Sequence, residues 1–189
     1  PNFQLPQIKK MKTESLFSPN WFSRNGDTPD IVVFHQKNRS FQSAKRRYLS
    51  EKTRESVHYY ITLSGKIYRF LPLTVAACND VCSSNDPLRV DHWSRAVSRI
   101  VRERKKDPSS YTVSVEFEGV ESGFLTKAQF EAGVFAIKEI MNEIKEIYGK
   151  EISVDREHFI GRYKVAPLIS PYSPGFDFPL GKLIDACKT

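Results

Sequence analysis

The stretch from Thr126 to Gly149 constrains the fold most. Thr126-Lys127-Ala128-Gln129 has the form of a capping box, in which a threonine hydroxyl and a glutamine amide satisfy the free backbone amides of a first helical turn. Behind it Phe130, Val134, Ile137, Met141, Ile144 and Tyr148 follow at alternating spacings of four and three residues. Side chains so spaced fall on one side of an α-helix, and Gly149 suits the left-handed residue that ends it. A helix this one-sided must lie against an apolar surface. The stripe is therefore core packing, with no ligand role.

The remaining patterns predict that this surface is a sheet. Ile31-Val32-Val33-Phe34-His35 is a continuous apolar run, the mark of a strand covered on both faces, and its terminal histidine sits where sheets often display chemistry. Tyr111–Glu118 alternates, with Tyr111, Val113, Val115 and Phe117 on one face and Thr112, Ser114, Glu116 and Glu118 on the other. Val57–Leu63 and Lys66–Leu71, joined by Ser64-Gly65, read as a hairpin. Phe41, Ala44 and Tyr48 mark a short surface helix within Ser40–Ser50, and a loop-rich tail from Asp155 closes in a short helix around Leu180–Lys188. Together these elements predict one α/β domain, a mixed central β-sheet flanked by helices.

Residues 1–29, with four prolines, read as an irregular lead-in packed loosely on a core domain at 30–189. Residues 79–110 look like an insert. There Trp93, Val97, Ile100 and Val101 form an apolar helical face and Arg95, Arg99 and Arg102 the opposite one, extended by Arg104, Lys105 and Lys106. That basic run is either a solvated helix face or an anion-binding surface. Lys and Arg number 29 against 22 acids, a net charge of +7 that favours polyanionic surroundings such as nucleic acid, anionic lipid or a wall polymer. No apolar run reaches the ~18–20 residues of a membrane span, and the first dozen residues hold no apolar segment of a secretory signal. Cys78, Cys82 and Cys187 are too few for a disulfide scaffold and read as plain thiols.

Five pieces, in order, resemble the zinc-dependent N-acetylmuramoyl-L-alanine amidases (amidase type 2, peptidoglycan recognition protein-like) of endolysins and autolysins. Residues 29–35 look like the first strand with its zinc histidine, and Ser56-Val57-His58-Tyr59-Tyr60-Ile61 with Gly65-Lys66-Ile67-Tyr68 like the family hairpin. Residues 111–119 look like the strand that carries the functional carboxylate, and Leu125–Gln129 like the long-helix start. Asp155-Arg156-Glu157-His158-Phe159-Ile160-Gly161-Arg162-Tyr163 and Ser173-Pro174-Gly175 look like the two closing motifs.

The resemblance implies hydrolysis of the amide between N-acetylmuramic acid and L-alanine, with Zn²⁺ held by two histidines and a Cys or Asp. It implies peptidoglycan or muramyl peptides as partner, with anionic wall polymers beside them, and action at the cell wall or as a released phage lysin. Glu116 matches the functional carboxylate. His35, His58, Tyr59, Glu118 and Arg162 match the substrate-facing positions, His58 being either that or a hydrogen-bonding residue.

The ligand positions depart from the pattern. His35 matches the first ligand, but Arg162 and Ser173 stand at the other two. A guanidinium has no lone pair to give, and a neutral hydroxyl is a poor replacement for thiolate or carboxylate. The expectation is therefore a peptidoglycan-directed domain, deficient in zinc, that binds muramyl peptide with little or no hydrolysis. In it the Arg162 charge would replace the metal's and pair with Glu116 or Glu118. Two alternatives stay open: a working zinc amidase using His35, His158 and an acidic residue, and a basic anion- or nucleic-acid-binding domain using Arg95–Lys106.

Overall fold

The computed structural model describes residues 11–78, 92–120 and 122–189. In chain order the elements are β1 (Thr13–Ser15), β2 (Trp21–Ser23), β3 (Ile31–Asn38), α1 (Phe41–Tyr48), β4 (Tyr59–Ile61), β5 (Ile67–Arg69), β6 (Val75–Ala77), α2 (Arg99–Arg104), β7 (Thr112–Gly119), α3 (Lys127–Tyr148), β8 (Phe159–Gly161), α4 (Arg162–Val165) and α5 (Leu180–Cys187). Six strands form one mixed sheet in the order β1-β5-β4-β7-β3-β8, and β2 pairs with β6 in a separate ribbon. Within the main sheet only β4 and β5 run antiparallel. This is the single-domain α/β architecture, a mixed sheet flanked by helices, that the patterns predict.

The capping box forms as read: Thr126 accepts from the Gln129 amide, the Gln129 side chain reaches back, and Gly149 ends α3 at φ 66°. Helix α3 covers one face of the sheet, burying Ile137, Ile140 and Ile144 against Val32, Phe34, Val113, Val115 and Phe117. The buried line runs one step round from the predicted stripe, through Gly133 and Ala136, while Phe130, Val134, Met141 and Tyr148 flank it. Close approach explains the shift, since a Cβ at Gly133 would lie 3.0 Å from the Phe117 ring.

Three expectations change. Within the lead-in, residues 11–29 are not irregular: β1 extends the main sheet beside β5, β2 pairs with β6, and Arg24 is buried, donating to the carbonyls of Leu73 (2.8 Å), Ser110 (2.9 Å) and Thr112 (3.1 Å), while residues 1–10 lie outside the described residues. Three-residue strands are too short to carry an alternation signal. The tail likewise contains β8 and α4. In the insert, residues 93–101 are not one helix. Ser98 caps a new helix, α2, and Val97 is exposed. Much of the basic patch is engaged within the protein: Arg102 donates to the Ala96 and Val97 carbonyls, Arg104 clasps Asp30 with two bonds of 2.7 and 2.6 Å, and Lys106 pairs with Asp27. The rest of the insert, 79–91, lies outside the described residues, as does Cys82.

Gly65 closes the β4–β5 turn at φ +81°, and a Cβ there would come within 2.7 Å of the Ala128 carbonyl oxygen. Gly65→Ala should therefore destabilise the fold by about 2 kcal/mol, from left-handed strain plus the backbone clash. Urea unfolding at neutral pH measures it.

Candidate functional site

Register builds the site. In the β3–β7 ladder His35 lies opposite Glu116, and in the β4–β7 ladder Tyr60 lies opposite Glu116. Phe34 lies opposite Gly161, which puts Arg162 at the next position, beside His35. Tyr60 on β4, Glu116 on β7 and His35 on β3 therefore stand in one row across three neighbouring strands, and Arg162 continues it as the first residue of α4, where β8 ends. Alternation directs the row to the face opposite α3. All four are buried: Tyr60 and Glu116 are 0% exposed, His35 1% and Arg162 3%.

A buried carboxylate needs partners if it is to stay charged. Glu116 has them in Arg39, at 3.3 and 3.2 Å, and in the Tyr48 hydroxyl. Arg39 also reaches Glu55 at 3.0 Å, and Glu55 takes bonds of 2.6 Å from both Lys37 and Arg47. Burial acts against the Glu55 charge, yet Lys37 and Arg39 hold its pKa down to about 2. The network ties α1 and the segment after it to the sheet. His35 is held well below the usual histidine range, first by burial and then by the charges of Arg162, Lys37 and Arg39, so the ring is neutral. Its Nε2 is buried with no hydrogen-bond partner among the described residues.

Other predicted site residues have different work. His58 is not substrate-facing: it is fully buried, its Nδ1 accepts from the Ser114 amide (3.1 Å) and its Nε2–H donates to the Val75 carbonyl (2.9 Å). Burial and then the Arg24 charge lower its pKa to about 3. Tyr59 points to the α3 side, inside the main core, and donates to Glu139 at 2.9 Å. Strand alternation decides this, since Tyr60 and not Tyr59 shares a rung with Glu116. Glu118 accepts from the Phe41 amide (2.8 Å) and the Leu63 amide (2.9 Å), pinning the start of α1 and the hairpin turn. With both carboxylates so engaged, the pairing of Arg162 with Glu116 or Glu118 is not the arrangement found. Arg39, Tyr48, Glu55 and Tyr60 escaped the sequence reading, and only the alternation through Tyr60 carried a signal for any of them.

Several solved structures share this fold at low sequence identity. An N-acetylmuramoyl-L-alanine amidase, LysC from Clostridium intestinale URNW, is 15% identical, the match covering 94% of this chain and 98% of that one with a TM-score of 0.59. A selenomethionine derivative of AmpD is 16% identical over 92% of this chain and 93% of its own, with a TM-score of 0.65. PlyL is 12% identical over 95% and 98%, with a TM-score of 0.59. No family model and no curated protein matches the sequence. The fold is that of the N-acetylmuramoyl-L-alanine amidases.

An amidase fold raises the question of zinc, and the donors present here do not fit that ion. His35 offers one imidazole. Arg162 offers a cation, and its charge already acts on His35. The Ser173 hydroxyl is engaged twice with the backbone of Gln36, accepting from its amide and donating to its carbonyl, both at 3.1 Å. It continues the edge of β3 where β8 has ended. His158 cannot make up the set: Phe159 lies opposite Val32, so His158 stands four residues below His35, about 13 Å along the strand. Its Nδ1 lies 2.8 Å from Asp155. Among the described residues no three His, Cys, Asp or Glu side chains converge to hold a metal.

Two outcomes follow. Unfolded histidine titrates near ~6.5 and folded His58 at about 3, so the unfolded chain binds this proton first as pH falls. Stability should drop with acidification between those values by about 1.4 kcal/mol per unit from this group. Urea midpoints across that range should show a shallower slope in His58→Asn. Ser173→Ala strips both Gln36 backbone groups of a partner and should cost about 1–2 kcal/mol in the same assay.

Proposed function

We propose that this chain is a peptidoglycan-directed domain of the amidase fold that binds muramyl peptide at the carboxyl ends of its strands without zinc-dependent hydrolysis. One observation carries the reading: Arg162 stands beside His35, its charge felt by that ring, at a position where the resemblance implies a second metal ligand. A guanidinium repels a divalent cation but suits carbonyl and carboxylate oxygens, which a stem peptide supplies in number. Glu116 supports the same reading, because its carboxylate is bonded to Arg39 and Tyr48, held away from duty as a proton carrier. The seat of action is the cell wall, and wall polymers of negative charge are compatible partners for a chain of net charge +7.

The test is metal analysis of the purified protein together with calorimetric titration of muramyl dipeptide and an assay for peptide release from purified wall. The expected result is substoichiometric zinc, measurable binding and no release. Arg162→Gln should weaken binding about tenfold or more through loss of a charge-assisted bond. Stoichiometric zinc with release of stem peptide by the unaltered chain would overturn the proposal.

A further inference from the structure

Of the basic run in the insert, Arg102, Arg104 and Lys106 are engaged within the protein, whereas Arg99 lines a cleft of about 230 Å³. The cleft opens at the sheet edge formed by β8, on the face opposite α3. Cations from three segments meet there: Arg99 at the start of α2, Lys164 in α4, and Arg156 ahead of β8, its guanidinium beside Gly181 of α5. Arg156 and Lys164 have neither an ion pair nor a side-chain hydrogen bond among the described residues. Arg99 has only Glu103, at 3.8 Å with the two side chains 67% and 65% exposed, a pairing worth little in water. Glu157, the acid of the lining, pairs with none of the three.

Like charges gathered without counterions repel one another, and the fold gains nothing by holding them so. Yet the walls are fixed. The Ser98 amide donates to the Lys164 carbonyl (3.0 Å), tying α2 to α4, and Val101 packs with Ile160 and Val165 in one buried cluster. Elsewhere Arg39, Arg69 and Arg104 each meet a carboxylate. The rest of the lining is largely apolar, with Val97, Ile100 and Ile160. A fitting ligand therefore carries negative charge at more than one point, with short stretches of hydrocarbon between. A single carboxylate would meet one cation and leave the others, and no aromatic ring lines the cleft on which a nucleobase could stack. Phosphodiesters joined by small polyol units supply both features, each phosphate offering two charged oxygens to arginine or lysine.

Resting on the function proposed above for the source of such a polymer, we infer that this cleft binds the phosphodiester backbone of an anionic wall polymer. Arg99 and Lys164 bond phosphate oxygens, and Arg156 adds its charge at the rim. No side chain of the His35–Glu116–Arg162 row lines the cleft, so polymer and muramyl peptide compete for none.

The experiment is calorimetric titration with soluble poly(glycerol phosphate), beside oligothymidylate and poly-L-glutamate of matched charge and muramyl dipeptide. Poly(glycerol phosphate) should bind the unaltered chain more tightly than either other polyanion. Arg99→Gln and Lys164→Gln should each weaken it about fivefold and lower the slope of log K against log salt by about one, while Arg99→Lys retains most of the affinity. Lys127→Gln removes the same unit of charge from a side chain 90% exposed at the start of α3, and should change affinity by about twofold at most. Unchanged melting temperatures check that the variants fold. An equal loss in Lys127→Gln and Arg99→Gln means that net charge alone attracts the polymer, and overturns the cleft. Equal or tighter binding of oligothymidylate or poly-L-glutamate overturns the wall-polymer assignment. A chain that binds muramyl dipeptide but not poly(glycerol phosphate) overturns this inference and leaves the function proposed above standing, whereas the reverse result overturns that function and leaves the phosphate site.

Discussion

The pairing of β3 with β7 on one side and β8 on the other is the constraint on which the rest depends. A parallel ladder fixes which residue stands opposite which, and a slip by one would turn every side chain to the wrong face. Eight consecutive pairs along β3 and β7, from Ile31 with Thr112 to Asn38 with Gly119, leave no freedom of register. Both strands are buried on both faces, so the apolar set of Val32, Phe34, Val113, Val115 and Phe117 must meet α3. His35 and Glu116 are then carried to the other face together.

That second face is unusual in holding charge where most sheets hold hydrocarbon. Two apolar clusters lie on it, one around Ile31, Val33, Val101 and Tyr111 and one around Ala44, Tyr48, Tyr60 and Phe70. Between and beside them run His58 with Arg24, and Glu116 with Arg39. Glu116 has its counterpart in Arg39 and Arg24 its row of carbonyls, as burial demands. Arg39 joins Glu116 to Glu55, so the carboxylate of β7 holds the far end of α1 as well as the strand beside it. In this arrangement the row holds one neutral imidazole, one carboxylate already bonded to Arg39 and Tyr48, and one cation that cannot lose its proton.

Legibility followed length and period. The long helix and the two long strands were readable because each repeats its pattern often enough to be distinguished from chance, and the hairpin because Ser64-Gly65 marks its turn. The short strands of the lead-in, β8 and α4 were not, because three or four residues carry no period and exist through the partners they find. The predicted substrate-facing pair His58 and Tyr59 shows the same limit from the other side. A motif places residues in order, but which of Tyr59 and Tyr60 looks toward Glu116 depends on the pairing of β4 with β7. Arg39, Tyr48 and Glu55 converge on one point from a strand end, a helix end and a loop, and nothing in their spacing announces it.

By itself the sequence determined the α/β architecture, the presence of His35 and Glu116 within its two long strands, and the presence of arginine and serine where the resemblance implies metal ligands. These are properties of local period and of residue chemistry, and no neighbour can alter them. Only the tertiary structure decided that Arg162 stands beside His35, that Ser173 serves the backbone of Gln36, that His158 is too far down its strand to take part, and that Glu116 belongs to Arg39. Those facts rest on contacts between segments up to 137 residues apart. Hydrogen bonds and charges act over a few ångströms in space, whatever their separation along the chain.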